Sequence, residues 1–373
     1  MNHARVSILR CKSYDPSLVQ EAVRKAIDLI GGISSLIPPG SKVLVKPNLL
    51  LAKEPEYGIT THPEVVRAVI RLLKKIDCKI FLGDGPSVWG NQIKNIDEVY
   101  TRSGMKRVCV EEGVILVEFD HRRWREKFPL TTWLDDCDYL INLPKFKTHD
   151  LTTLTGAVKN LFGLVSGTYK TELHKRYFEP EDFSKMLVDI YAEVKPTLTV
   201  IDGITALEGD GPGTGGKLRH PGLLLAGTDC VALDSVLALI MGLKPQDILT
   251  NREAAKRGLG IADISRIDIA GEKLEKLIEA PFCLPATSIT KRIPRPIINV
   301  AKKLIRFYPA VKQNKCILCQ ACVKACPMKV ISVESNRITI KYHGCISCFC
   351  CHEVCPAAAM KVKKSILAKI IGL

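Results

Sequence analysis

Eight cysteines in two matched runs constrain this chain more than anything else in it. Cys316, Cys319, Cys322 and Cys326 precede Pro327, and Cys345, Cys348, Cys351 and Cys355 precede Pro356, so C-x2-C-x2-C-x3-C-P occurs twice. Three thiolates spaced in this way can curl around one iron–sulfur cube while the fourth points away and reaches a second cube. The spacing predicts two [4Fe-4S] clusters with crossed ligands: Cys316, Cys319, Cys322 and Cys355 on one, Cys345, Cys348, Cys351 and Cys326 on the other. Structural zinc is the competing use of paired C-x2-C motifs. Zinc needs four ligands from two pairs, whereas each run offers four cysteines and a proline. Cys350 cannot replace Cys351 without breaking the spacing and reads as a bystander.

These residues resemble the two-cluster bacterial-type ferredoxins over about residues 314–362, all eight ligand positions included. The resemblance implies single-electron transfer. Lys315, Lys324, Lys329 and Lys341 lie nearby, either favouring the reduced clusters or forming a solvated surface.

At 373 residues the chain exceeds one typical core and is expected to hold two or three folded units. Met1 to Asp15 carries no secretion signal, so the expected location is cytoplasmic, with the 15 cysteines as reduced thiols. The six cysteines outside the runs are expected to be mostly small core fillers. The formal charge of +15 favours negative partners: an acidic electron donor or acceptor protein, an anionic small molecule or an anionic membrane surface. Nucleic acid is not expected, because the sequence has no recognisable binding motif and no interleaving of aromatic and basic residues.

From Arg5 to about Ala280, short apolar runs alternate with longer amphipathic ones, which predicts an α/β domain with a mostly parallel sheet. Expected strands are Val6–Leu9, Lys42–Val45, Lys79–Gly83, Ile115–Phe119, Tyr139–Leu143, Leu198–Asp202, Leu223–Ala226 and Ile267–Ala270. Expected helices include Ser17–Ile30, Pro63–Ile76, Glu181–Val194 and Cys230–Met241. The domains divide as 1–290 for the α/β part, 291–312 for a basic linker with a short helix near 297–307, 313–364 for a small α+β ferredoxin-like part, and 365–373 for a basic and apolar tail. The tail either packs on its own domain or touches anionic lipid weakly.

Several expected strands end in polar turns: Lys46-Pro47-Asn48, Asp84-Gly85-Pro86-Ser87, Pro144 to Lys147, and Asp202-Gly203. In open α/β sheets the ligand crevice lies beyond the carboxyl ends of the strands, so these turns are expected to converge. Lys145, Lys147 and His149 are expected on a loop, and Lys159 and Asn160 on an apolar helix where a buried ammonium requires an anion. That anion is either a ligand or one of Asp84, Asp202 and Asp210. In the stretch Ile201 to Lys217 a strand is expected to run into a mobile glycine-rich loop whose backbone amides can cradle an anion, with Glu208 and Asp210 as acid, base or metal ligands. It lacks the context of a dinucleotide fingerprint, because Pro212 intrudes and no helix follows. It also lacks the phosphate-loop serine or threonine, which Leu218 replaces.

Lys46-Pro47-Asn48, Thr61-His62-Pro63, Gly83 to Ser87, Lys147-x-His149, Lys159-Asn160-Leu161-Phe162-Gly163, and Asp202-Gly203-Ile204 through Glu208 to Pro212 resemble the domain of unknown function 362 family over roughly residues 5–275. Members frequently carry a two-cluster ferredoxin module, so the resemblance implies this architecture and supplies no reaction. The expected function is an iron–sulfur oxidoreductase. Lys46, Asn48, Lys145, Lys159 and Asn160 are expected to bind an anionic substrate, and His149, Lys147 and Asp210 to act in catalysis. The alternative is a non-enzymatic electron carrier or redox-responsive binding module.

Overall fold

The computed structural model describes residues 3–86, 96–167, 169–278, 280–288 and 306–365. Ser87, most of the expected linker with its helix, and the tail from 366 lie outside the described residues.

Short β-branched and leucine-rich runs form a sheet covered by helices on both faces. In chain order the strands are β1 (Ala4–Arg10), β2 (Lys42–Pro47), β3 (Lys79–Leu82), β4 (Ile115–Leu116), a separate hairpin of β5 (Arg122–Arg125) and β6 (Phe128–Thr131), then β7 (Tyr139–Leu143), β8 (Lys145–His149), β9 (Thr153–Thr155), β10 (Leu198–Gly209), β11 (Gly216–Arg219), β12 (Leu223–Gly227) and β13 (Ile267–Gly271). The order across the sheet is β13-β1-β12-β10-β7-β2-β3-β4. On that path only β12 runs antiparallel to its neighbours. The other pairs are parallel, as expected from continuous apolar strands buried on both faces.

Helix Pro16–Asp28 begins where the Asp15 carboxylate accepts the amides of Ser17 and Leu18, and it buries Val19, Ala22, Val23, Ala26 and Ile27 at helical spacing. Helix Pro63–Lys74 packs beside it on the same face of the sheet. The His62 ring caps that second helix through the Glu64 amide and stacks on Tyr14 at 3.6 Å. The opposite face holds Pro180–Val194 and Cys230–Ile240, the latter buried nearly all round. Each fully buried Val, Leu or Ile contributes about 1.5–3 kcal/mol, so these two cores set the stability of the scaffold. Cys11, Cys109 and Cys230 fill core positions, Cys78 and Cys137 are partly buried, and Cys283 is exposed.

The sequence misplaced three features. Lys145, Lys147 and His149 sit on β8, not on a loop, and β8 is buried along its length between β10 and β9. The expected strand ending at Asp202 continues to Gly209 and pairs with β11, so the expected mobile loop is mostly sheet. Residues 307–311, placed in the linker, form strand β14 (Phe307–Val311), which pairs with β17 (Met360–Lys364).

Between these two strands lie helix Ala321–Ala325, the hairpin β15 (Ile331–Glu334) and β16 (Arg337–Ile340), and helix Cys350–Glu353. The halves repeat at an offset of 29 residues, as from Cys316 to Cys345. Leu318, Gln320 and Lys329 have positive φ, and so do their counterparts Ser347, Phe349 and Ala358.

Candidate functional site

The carboxyl ends of β2 and β3 and the following turns do converge. Lys46 is fully buried, and its Nζ lies 2.7 Å from the Asp84 carboxylate. Asp84 is fixed in turn by the amides of Leu49 at 2.8 Å and Gly85 at 2.9 Å. Next to this pair a ladder of amides runs from Asn48 Nδ2 to Asn160 Oδ1, and from Asn160 Nδ2 to Asn142 Oδ1, both at 2.8 Å. The Asp234 carboxylate holds the turn carrying Asn160 and Lys159 by accepting the Ala157 amide at 2.6 Å and that of Val158 at 3.1 Å.

A cavity open to solvent lies beyond this rim. Of the expected site residues, Asn48, Asn160, Lys147, Lys159 and His149 line it. Three others do not. Lys46 is held by Asp84, and Lys145 is held by Asp202 at 2.8 Å and the Tyr14 hydroxyl at 2.6 Å. Asp210 accepts the Ala286 amide at 3.2 Å, and Glu208 pairs with Arg219 at 3.0 Å, so neither carboxylate serves the cavity. Their glycine-rich segment is tightly packed: Gly211 abuts Thr148, Gly213 abuts the Glu353 carbonyl and Gly215 abuts the His352 ring. These glycines are small so that two chain segments can touch.

The sequence missed Lys170, His174 and Glu353. Lys170 and His174 lie on helix Tyr169–Arg176, which has no motif to mark it. Glu353 stands inside the second cysteine run and did carry a signal, being the only acid after Glu334. Lys147 Nζ donates to the Ile59 carbonyl at 2.7 Å, Lys170 Nζ to the Gly85 carbonyl, and Lys159 Nζ lies 5.0 Å from the Phe162 ring centroid. Among the described residues none of these three amines has a carboxylate within ion-pair distance. The remaining residues of the sequence contain a single acid, Glu279.

Burial is therefore uncompensated. It pushes Lys147 down to about 7, with Glu353 opposing the shift and Lys159 and Lys145 adding to it. Lys170 falls to about 8 by burial, against the pull of Asp84. Lys159 also falls by burial, with Glu353 opposing. Burial takes His174 down to about 3, helped by Lys159 and Lys170. His149 Nδ1 accepts the Leu151 amide at 3.0 Å, so its neutral ring carries the proton on Nε2, which lies 3.9 Å from Glu353 Oε2.

The cysteines line two further cavities. One, of about 330 Å³, is walled by Cys316, Cys319, Cys322 and Cys355 with Val311, Ile338 and Met360. The other, of about 310 Å³, is walled by Cys345, Cys348, Cys351 and Cys326 with Val330, Ile331 and Phe349. Each takes its fourth sulfur from the opposite run, from the cysteine that precedes the proline. The Val330 amide donates to Cys326 Sγ at 3.4 Å and the Ala359 amide to Cys355 Sγ at 3.3 Å, which stabilises thiolates. In each cavity four sulfurs spread over an apolar wall, with an amide on one of them, fit an iron–sulfur cluster.

The cysteine-rich module docks on the α/β domain through helix Cys350–Glu353. His352 Nδ1 lies 2.6 Å from the buried Asp150 carboxylate. Thr214 Oγ1 donates to the Cys355 carbonyl at 2.5 Å and accepts the Ala358 amide at 3.2 Å. Leu51 packs against the cluster formed by Ala321, Ala325, Cys350 and Val354. The basic cavity thus lies against the module, with Glu353 in its wall.

Fold and site define a two-part iron–sulfur protein, an α/β domain joined to a ferredoxin-type module. The chain belongs to the family described as domain of unknown function (DUF362), whose model matches residues 43–238, and a 4Fe-4S dicluster domain matches residues 309–356. It is 36% identical over 263 residues to Thylakoid-associated protein sll1697 of Synechocystis sp., covering 69% of this chain and 79% of that protein. The lactate racemase apoprotein from Thermoanaerobacterium thermosaccharolyticum aligns with a TM-score of 0.39 and 10% identity over 65% of this chain and 58% of that one.

Proposed function

We propose that this chain is an oxidoreductase that binds a small anionic substrate in the lysine-lined cavity and holds two [4Fe-4S] clusters, one in each cysteine-walled cavity. Bound there, the clusters supply electrons one at a time. The observation that carries this reading is the set of Lys147, Lys159 and Lys170 without carboxylate partners among the described residues, in a cavity whose wall includes Glu353 of the second cysteine run. Amines depressed by burial regain their protons when an anion enters, so binding is coupled to proton uptake. Asn48 and Asn160 orient the substrate through amides already held by their neighbours. His149 offers the proton on Nε2 from inside the cavity. No helix among the described residues is long and apolar enough to cross a membrane. We place the protein in the cytoplasm, with weak contact to an anionic membrane surface through its basic C-terminal residues, in keeping with the name of the Synechocystis relative.

The test is anaerobic reduction of the holoprotein, followed by a screen of anionic carbonyl and unsaturated compounds for reoxidation of the clusters. Lys147→Gln and Lys159→Gln should each slow reoxidation roughly 10- to 100-fold, the worth of one charge-assisted contact, and leave the cluster spectra unchanged. If intact clusters are reoxidised by no compound, and the variants lose only affinity for a partner protein, the chain is a carrier.

A further inference from the structure

The two halves of the cysteine module are equivalent in sequence but not in surroundings. Ile317, in the first run, is 65% exposed, whereas its counterpart Ile346 is only partly exposed. Cys319 and Gln320 are exposed, but their counterparts Cys348 and Phe349 are partly and fully buried. The α/β domain causes the difference, because Asp150, Gly213 and Thr214 all contact the second half near helix Cys350–Glu353. Charge is distributed in the same sense. Residues 280–333 contain no aspartate or glutamate, and residues 306–365 carry ten lysines and arginines against Glu334 and Glu353 alone. Glu353 is buried toward the substrate cavity, whereas Lys312, Lys315 and Lys324, which flank Ile317 and Cys319 in the chain, are exposed.

The geometry points to this open face, exposed Ile317 and Cys319 with exposed Lys312, Lys315 and Lys324 on the flanking segments of chain, as the docking site for an acidic electron-transfer protein. An exposed apolar residue beside an exposed cluster ligand gives a partner a dry, short approach, and the flanking lysines steer a negative surface onto it. In each encounter the partner gives up one electron and the chain takes up one. Two such encounters supply a two-electron reduction in the lysine cavity, which lies against the buried half. This inference rests on both cysteine cavities holding clusters, and it adds where electrons enter and the charge of the protein that delivers them.

The experiment is anaerobic stopped-flow mixing of the full-length holoprotein with a reduced, strongly acidic [2Fe-2S] carrier across a range of salt. Each variant is also reduced by photoreduced deazaflavin and assayed for iron. Lys312→Glu combined with Lys315→Glu should slow exchange with the carrier at least about tenfold at low ionic strength, with the gap closing as salt rises. Reduction by deazaflavin and iron content should stay at wild-type values. Lys256→Glu, an exposed reversal outside the module, should exchange at the wild-type rate. Ile317→Ser should slow exchange without changing its salt dependence, which gives a second reading if the double reversal costs iron. Wild-type exchange rates in both patch variants would overturn the inference. So would a double variant that keeps its rate but no longer sediments with phosphatidylserine vesicles, since the patch would then serve a membrane. Wild-type protein without iron would instead remove the cluster reading on which the inference stands.

Discussion

Lys147 offers the sharpest check on the cavity, because its stability and its function should move in opposite directions. Its amine is 1% exposed, donates to the Ile59 carbonyl and is held down to about 7 by burial. An unfolded lysine titrates near 10.4, so between about pH 7 and pH 10 the folded protein binds fewer protons than the unfolded one. The wild-type protein therefore gains stability from this group as pH rises across that window, and below about pH 7 the penalty is constant. Each tenfold change in proton affinity is worth about 1.4 kcal/mol, so the buried ammonium costs about 4 kcal/mol at pH 7 and about 2 kcal/mol at pH 9. Lys147→Met removes the charge and also leaves the Ile59 carbonyl unpaired, which costs about 1 kcal/mol. The variant should thus be more stable than wild type by about 3 kcal/mol at pH 7, and the advantage should shrink by about 2 kcal/mol at pH 9. Anaerobic denaturant unfolding of both proteins at several pH values reads the difference directly. A variant destabilised equally at every pH would refute the claim that the amine is buried without a counter-charge.

Three further outcomes follow from contacts in the site. Gly163→Ala places a methyl 2.6 Å from Lys46 Nζ and closer still to Asp84, so it should cost about 3 kcal/mol by splitting the buried pair, as measured by thermal unfolding. Cys322→Ser should lower iron from about eight per chain to about four, whereas Cys350→Ser should keep about eight, which metal analysis of anaerobic preparations decides. Asp150→Asn removes the partner of His352 and should cost about 3 kcal/mol, seen as faster hydrogen exchange in residues 350–358 while β2 and β7 stay protected.

The cysteine spacing by itself determined how the module is put together. Short spacings restrict where sulfur can go, and the crossed sets read from the two runs are the sets that wall the two cavities. Apolar periodicity likewise settled the α/β class and most strand positions, because burying a strand on both faces leaves a local imprint such as the Tyr139–Leu143 run. The sequence could not say which charges are already neutralised. Lys46, Lys145, Lys147 and Lys159 look alike along the chain, and only the tertiary structure gives the first two their aspartates and leaves the last two facing a cavity. Nor could it join Lys170 and Glu353, which meet there from helices far apart in the chain, or say that one cysteine run is covered and the other open. Those facts depend on which surfaces pack together, and packing brings distant residues to within a few ångströms without leaving a local pattern to read.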